Sequence, residues 1–171
     1  MAFLVRKISR AKWPEEKCEI TDLDGDAISD LRTTDNTLSL WYINDESELF
    51  SAALALAASS KSEKIDSFTV VWIPVEDIKR KGLSIVESDG DTVITDLVKT
   101  HRDLSGITYG KLGNTAELIL EQLTSNNHVK RFTRAELKKA LAEAYLDDKI
   151  CLNKCNPNFI VELQKFKPKT N

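Results

Sequence analysis

Hydrophobic residues are distributed unevenly along the chain, and one block at residues 37–74 dominates the pattern. Two short runs, 37–43 (TLSLWYI) and 67–73 (SFTVVWI), are rich in β-branched and aromatic residues and lie between polar segments, which is typical of buried strands. The residues between them, 46–60 (ESELFSAALALAASS), are apolar almost all round and predict a helix that is covered on both sides. Because the connections are short, this strand–helix–strand order predicts parallel strands joined by a right-handed crossover.

Two further segments extend the predicted sheet. Residues 3–8 (FLVRKI) form a third strand candidate, and residues 83–87 (LSIVE) form a fourth, after a helical turn that ends at Gly82. Residues 15–36 are polar and acidic. Such a length of irregular sequence is uncommon unless it is functional, mobile or contains a short strand, for which residues 18–21 are the candidate.

After the turn at residues 88–91 the pattern becomes helical. Apolar residues recur at helical spacing over residues 92–104 and again over residues 109–123. The second of these helices contains Gly110 and Gly113, which we interpret as allowing another helix to cross closely.

The best-defined helix start follows Phe132. Thr133 and Glu136 have the spacing of a capping box, and Phe132 and Leu137 have that of its hydrophobic staple. A last short helix is predicted to begin at Asn156 with proline in its first turn. Its predicted buried residues are Ile160, Leu163 and Phe166.

Together these elements predict an α/β (or α+β) fold with a small mixed sheet organised on the βαβ unit and an all-helical C-terminal part. We divide the chain into a sheet-containing α/β domain at residues 1–90 and a helical C-terminal region at residues 91–171 that packs on or beside it. The 171 residues, 42% of them hydrophobic, are enough to bury a sizeable core.

The N-terminal residues and the cysteines favour a cytoplasmic location. Four apolar residues, 2–5, precede Arg6, which is too short a run for a signal-peptide core or a membrane span. The three cysteines are an odd number, which favours reduced thiols over a disulfide framework. We therefore expect a cytoplasmic protein that makes no membrane contact.

The net charge of −3 conceals a strong division along the chain. Residues 18–128 carry nine basic and twenty acidic groups, whereas residues 129–171 carry ten basic and five acidic groups. Such asymmetry indicates either an acidic surface for a basic partner or oppositely charged parts that pack on each other.

The most acidic stretch suggests a partner-binding surface formed by Asp22, Asp24, Asp26 and Asp30. Alternating carboxylates on a turn also suit Mg²⁺ or Ca²⁺. However, Ala27 and Thr33 occupy the positions where a calcium loop needs glycine and glutamate. We therefore assign no metal site, no cofactor and no catalytic residue.

The two histidines carry no recognisable catalytic pattern. His101 falls on the apolar stripe of the helix predicted at residues 92–104, which favours a buried histidine whose hydrogen bonds are satisfied. His128 lies in a predicted loop with no evident cysteine or carboxylate companion.

The basic C-terminal helices offer an alternative, nucleic-acid-binding surface. Its candidate residues are Arg131, Arg134, Lys138 and Lys139, which could neutralise several phosphates. Acidic residues in the same helix and the lack of an accompanying aromatic platform weigh against this reading.

These observations favour a non-enzymatic cytosolic protein-interaction or accessory protein with a protein partner. Such a protein is an inhibitor, an immunity or antitoxin-like protein, or a subunit of a larger complex. Nucleic-acid binding is the alternative, and a metal-dependent hydrolase or nuclease is less favoured. The oligomeric state stays open.

Overall fold

A six-stranded sheet forms the centre of the molecule. The structure is a computed structural model, and it describes residues 1–16, 18–125 and 127–165. The strands lie in the order β4-β5-β2-β1-β3-β6, and every neighbouring pair is antiparallel. In chain order they are β1 (Phe3–Ile8), β2 (Leu38–Ile43), β3 (Phe68–Pro74), β4 (Ser84–Glu87), β5 (His101–Ser105) and β6 (Val129–Phe132).

Helices cover both faces of this sheet, and the predicted mixed α/β class is confirmed. The α-helices are α1 (Gly25–Asp30), α2 (Leu49–Ala57), α3 (Val75–Arg80), α4 (Tyr109–Ser125), α5 (Arg134–Leu146) and α6 (Pro157–Gln164). Short 3₁₀ turns occur at Arg10–Lys12, Ile20–Asp22, Glu46–Glu48, Thr95–Thr100 and Leu152–Lys154. Within the described ranges, none of the helices has the length and apolar character needed to cross a membrane.

The predicted βαβ unit has a strand inserted into it. β2 and β3 are both antiparallel to β1, which lies between them, so β2 and β3 run in the same direction without pairing. The pairing is therefore antiparallel where a mixed sheet was predicted. β1 suits the central position because Phe3 and Val5 enter the core on one face while Leu4 and Ile8 enter it on the other.

The sheet separates two hydrophobic clusters. One cluster joins the sheet to α2, α5 and α6, and its largest fully buried side chains include Ile43, Ile65, Phe132 and Phe159. The other joins the sheet to α1, α3 and α4, with Leu4, Leu40, Ile73, Ile78 and Ile119 among its fully buried side chains. The molecule thus has three layers, in which helices lie on both sides of the sheet.

The C-terminal region contributes two strands as well as helices. The helix predicted at residues 92–104 is wrong, because this segment is a 3₁₀ turn followed by β5, which pairs with β2 and β4. β6 was also missed, because Lys130 and Arg131 leave it only two apolar residues. The sheet therefore extends across the division placed at residue 90.

The three C-terminal α-helices occur where the sequence predicts them. The capping box is confirmed: Thr133 Oγ1 accepts the N–H of Glu136 at 3.3 Å, and Glu136 Oε2 accepts the N–H of Thr133 at 2.7 Å. In α6, Leu163 is buried as predicted, but Phe159 is buried where Ile160 was expected. Phe166 lies outside the described residues.

Candidate interaction surface

The acidic segment, residues 18–31, folds into a short amphipathic unit instead of an irregular loop. It contains five carboxylates and no basic side chain. A 3₁₀ turn, Ile20–Asp22, leads into α1. Ala27 of α1 and Leu31, which follows the helix, are buried in the cluster beneath α4. The apolar side chains therefore attach the segment to the core, while most of its carboxylates stay in water.

Asp22, Asp24 and Asp26 form the exposed part of the predicted partner-binding surface. All three are exposed, and within the described residues their side chains take part in no hydrogen bond or ion pair. Among the described residues, no side chain therefore neutralises these three charges, and all three face solvent.

Asp30 has a different environment from the other three carboxylates. It is half-buried, and its Oδ2 accepts hydrogen bonds from the N–H of Ser9 at 2.8 Å and from Trp13 Nε1 at 3.0 Å. Burial opposes ionisation of this carboxyl, but these hydrogen bonds and the nearby Arg6 outweigh it and hold the pKa of Asp30 below its ordinary value. Asp30 thus connects α1 to the N-terminal residues.

Arg6 is the partly buried cation of this connection. Its Nη2 donates to the backbone oxygen of Asp30 at 3.0 Å, and its Nη1 donates to the backbone oxygen of Ser39 at 2.9 Å. Burial lowers the pKa of Arg6 to about 10, and the charge of Asp30 partly opposes that shift. Trp13 is also buried here, at 3% exposure, although a tryptophan among lysines is typical of a surface.

A groove of about 440 Å³ separates the acidic segment from the first two turns of α4. The acidic segment forms one wall, with Ile20, Thr21, Leu23 and Ile28, and α4 forms the other, with Tyr109, Gly110, Leu112 and Gly113. A second hollow of about 240 Å³ shares Ile20 and continues along α4 past Glu117 and Glu121. Local sequence pattern does not reveal this groove, because its two walls are about eighty residues apart in the chain.

The two glycines of α4 border open space. A Cβ atom built on Gly110 or Gly113 meets no neighbouring element within 4 Å. Within the described residues, the close helix crossing predicted at these glycines is therefore wrong. Tyr109, at the start of the same helix, is 93% exposed. The α4 side of the groove is therefore bare backbone flanked by an exposed aromatic ring.

The basic C-terminal surface is partly neutralised within the molecule. Arg134 Nη2 and Lys138 Nζ lie 2.7 and 3.3 Å from Glu162 Oε1, which is buried in α6. Arg131, on the edge strand β6, donates to Ser67 Oγ at 3.1 Å, and Lys139 is exposed on α5. Of the four predicted residues, Arg131 and Lys139 are thus the two that form no ion pair among the described residues.

His101 belongs to a polar network on the sheet. Its Nδ1 lies 2.8 Å from Ser88 Oγ, which donates to Asp103 Oδ2 at 2.6 Å. Burial lowers the pKa of His101, and Asp103 partly opposes that shift. In a serine hydrolase triad the histidine lies between serine and carboxylate, whereas here Ser88 lies between His101 and Asp103. As predicted, His101 is a buried histidine with a hydrogen-bond partner, although it lies on β5.

His128 does have a carboxylate companion, so the sequence interpretation was wrong on this point. Its Nε2 lies 3.5 Å from Glu46 Oε1, and its Nδ1 lies 2.7 Å from Gln122 Oε1. The ring packs between Phe3 and Trp72, with centroids 5.2 and 5.5 Å away. These contacts join the 3₁₀ turn before α2 to the end of α4.

The described ranges contain no group of three histidine, cysteine or acidic side chains positioned to hold a metal ion. Cys18, Cys151 and Cys155 are free thiols, and burial raises the pKa of Cys155. Comparison of the chain with protein-family models, curated proteins and solved structures gave no match.

Proposed function

We propose that this chain is a non-enzymatic cytoplasmic interaction or accessory protein that binds a basic protein partner through the acidic segment. The observation that carries the proposal is the exposure of Asp22, Asp24 and Asp26, which form no ion pair among the described residues. An inhibitor, an immunity protein or a subunit of a complex could each use such a surface to bind a basic partner.

The electrostatics of the acidic segment support this proposal. Three exposed carboxylates within five residues produce a local negative potential, and such a potential speeds encounter with a basic surface and disfavours acidic ones. The apolar groove beside them adds the surface that a lasting complex needs, because rim charges alone contribute little affinity.

The test is affinity purification from the source cells after nuclease treatment, with D22N/D24N/D26N compared with wild type. Asp30 is left unchanged because its carboxylate holds Ser9 and Trp13. E63Q/D96N/E143Q is the matched control, since it makes the same change in net charge at exposed acidic residues elsewhere.

We expect wild type and control to retain one stoichiometric protein partner, identified by mass spectrometry, and the acidic-segment variant to lose it. Equal recovery by all three proteins contradicts this surface. Loss confined to the control variant would instead place the partner near α2 and α5, where Asp96 and Glu143 line another groove.

Nucleic-acid binding remains the second candidate, because Lys130 and Arg131 are exposed together on β6 and Lys139 is exposed nearby on α5. This function predicts nuclease-sensitive recovery and affinity that falls steeply with salt. The informative variant is R131E/K139E, since reversing Arg134 or Lys138 would also break the contact with Glu162. If that variant kept the affinity of wild type for nucleic acid, this alternative would be excluded.

A further inference from the structure

We propose that the groove between the acidic segment and α4 is the docking site of the partner, and that its occupant is a basic amphipathic helix. This inference rests on the proposed function and names the chemistry of the partner. The helix places an apolar side chain over Gly110 and Gly113 and directs lysine or arginine side chains toward the carboxylates.

The shape of the groove favours a helix. It is open to solvent and runs between α1 and α4, with a lining that includes half-buried Ile20, Leu23 and Leu112. An amphipathic helix fills such a groove with residues at spacings of three, four and seven, whereas a drug-sized ligand is usually enclosed on most sides.

The glycines make close approach possible. Gly110 and Gly113 are three residues apart, so they lie on one face of α4. With open space where their side chains would be, a partner helix can lie directly on the α4 backbone. Tyr109 stands at the end of this strip, and exposed tyrosine is a frequent contributor to binding energy at interfaces.

The charges around the groove specify a basic occupant. Asp22 and Asp24 are not part of the lining, but they are exposed and adjoin the lining residues Thr21 and Leu23 in the chain. The adjoining hollow adds further carboxylates, Glu19, Glu117 and Glu121. Among the described residues, nearby cations are fewer: Lys81 pairs with Glu117 at 2.6 Å, Lys12 donates to Ser29 of α1, and Lys111 lies within α4.

The key variant fills the groove without disturbing the fold. Gly113→Leu places a side chain in open space, and leucine favours a helix more than glycine does. We therefore expect a thermal midpoint at or above that of wild type, together with weaker binding. Ala135→Leu, at an exposed position of α5, is the matched control that adds apolar surface elsewhere.

The probe is a labelled peptide of about 18 residues, five helical turns, with leucine at amphipathic spacing and lysine elsewhere. A peptide of the same composition in scrambled order tests the need for an apolar face, and a leucine–glutamate peptide tests the sign of the charge. Binding to the full chain is followed by fluorescence anisotropy from about 50 mM to about 300 mM salt.

We expect the leucine–lysine helix to bind wild type and A135L alike, and to bind G113L at least about tenfold more weakly. D22N/D24N/D26N should bind it more weakly and with a smaller dependence on salt. The inference is overturned if the scrambled or leucine–glutamate peptide binds equally well, if G113L binds like A135L, or if no peptide binds.

Partner capture separates this inference from the proposed function. If G113L and D22N/D24N/D26N both lose the natural partner and A135L keeps it, the groove is the site. If G113L keeps a partner that D22N/D24N/D26N loses, the acidic surface stands and the groove is overturned. If both variants keep the partner, the groove and the acidic surface both fail.

Discussion

Glu162 offers a direct test of what holds the C-terminal helices on the sheet. This buried carboxylate of α6 accepts the backbone N–H of Ile65 at 2.9 Å through Oε2. Its Oε1 lies 2.7 Å from Arg134 and 3.3 Å from Lys138, both on α5. One side chain therefore connects α6, α5 and the loop before β3, and replacing it by alanine should affect all three.

The expected cost of Glu162→Ala follows from these contacts. A buried N–H of Ile65 left without a partner costs about 1–3 kcal/mol. Arg134 is half-exposed and recovers hydration, so the loss of its pairing adds about 1 kcal/mol. We expect the free energy of unfolding to fall by about 2–4 kcal/mol, and by less for Glu162→Gln, which can still accept the Ile65 N–H.

Urea unfolding at neutral pH measures this change, with the slope of each transition compared to check two-state behaviour. Glu143→Ala is the control, because Glu143 is exposed on the neighbouring helix and should change stability by less than about 0.5 kcal/mol. If Glu162→Ala cost no more than this control, the carboxylate would not be a structural connection and the reasoning would be refuted.

The pH dependence provides an independent check. Burial opposes ionisation of Glu162, but the hydrogen bonds from Arg134, Ile65 and Lys138 outweigh it and lower its pKa below the ordinary 4.5. A carboxyl with a lowered folded-state pKa stabilises the fold above its unfolded-state pKa, and this contribution disappears as the pH falls through the folded-state value. The stability difference between wild type and Glu162→Gln should therefore shrink below pH 4.5.

Three further predictions concern other contacts. Thr133→Ala removes the side-chain cap of α5 and should lower the free energy of unfolding by about 1 kcal/mol in urea titrations, whereas no change would show that the cap is dispensable. Asp30→Asn should cost about 1–2 kcal/mol because the neutral amide accepts the hydrogen bonds of Ser9 and Trp13 less strongly than the carboxylate and loses the charge attraction to Arg6, and an unchanged urea midpoint would contradict that role. Burial lowers the pKa of His101 below 6.5, so the unfolded state takes up this proton at a higher pH than the folded state, and the free energy of unfolding should fall as the pH drops below 6.5. His101→Asn should make the free energy of unfolding depend less on pH in this range, and an unchanged pH dependence would contradict the lowered pKa.

The sequence predicted best those elements whose own residues determine them. β1 and β2 are rich in large apolar residues, and the start of α5 is encoded locally by Thr133 and Glu136, so all three were identified within a residue or two. β5, with the sequence HRDLS, has one aliphatic residue and becomes a strand because β2 and β4 supply its hydrogen bonds. Local pattern alone cannot reveal a strand that is stabilised mainly by its neighbours.

The candidate site also depends on contacts between distant residues, which local sequence pattern does not reveal. The exposure of Asp22, Asp24 and Asp26 agrees with their polar surroundings in the sequence. The different environment of Asp30 depends on Ser9 and Trp13, which are about twenty residues away, and the groove depends on α4, about eighty residues further along. α1 could have been recognised from Asp24 at its N-cap and from Ala27, Ile28 and Leu31 at helical spacing.

The central position of β1 has a consequence for the order in which the chain can fold. β1 precedes β2 and β3 in the chain and leaves the ribosome before them, so it cannot be paired on both sides until residue 74 has emerged. The helical cover that α4, α5 and α6 provide arrives later still. We therefore expect the nascent sheet to form late and cooperatively, with an apolar central strand that needs protection during synthesis.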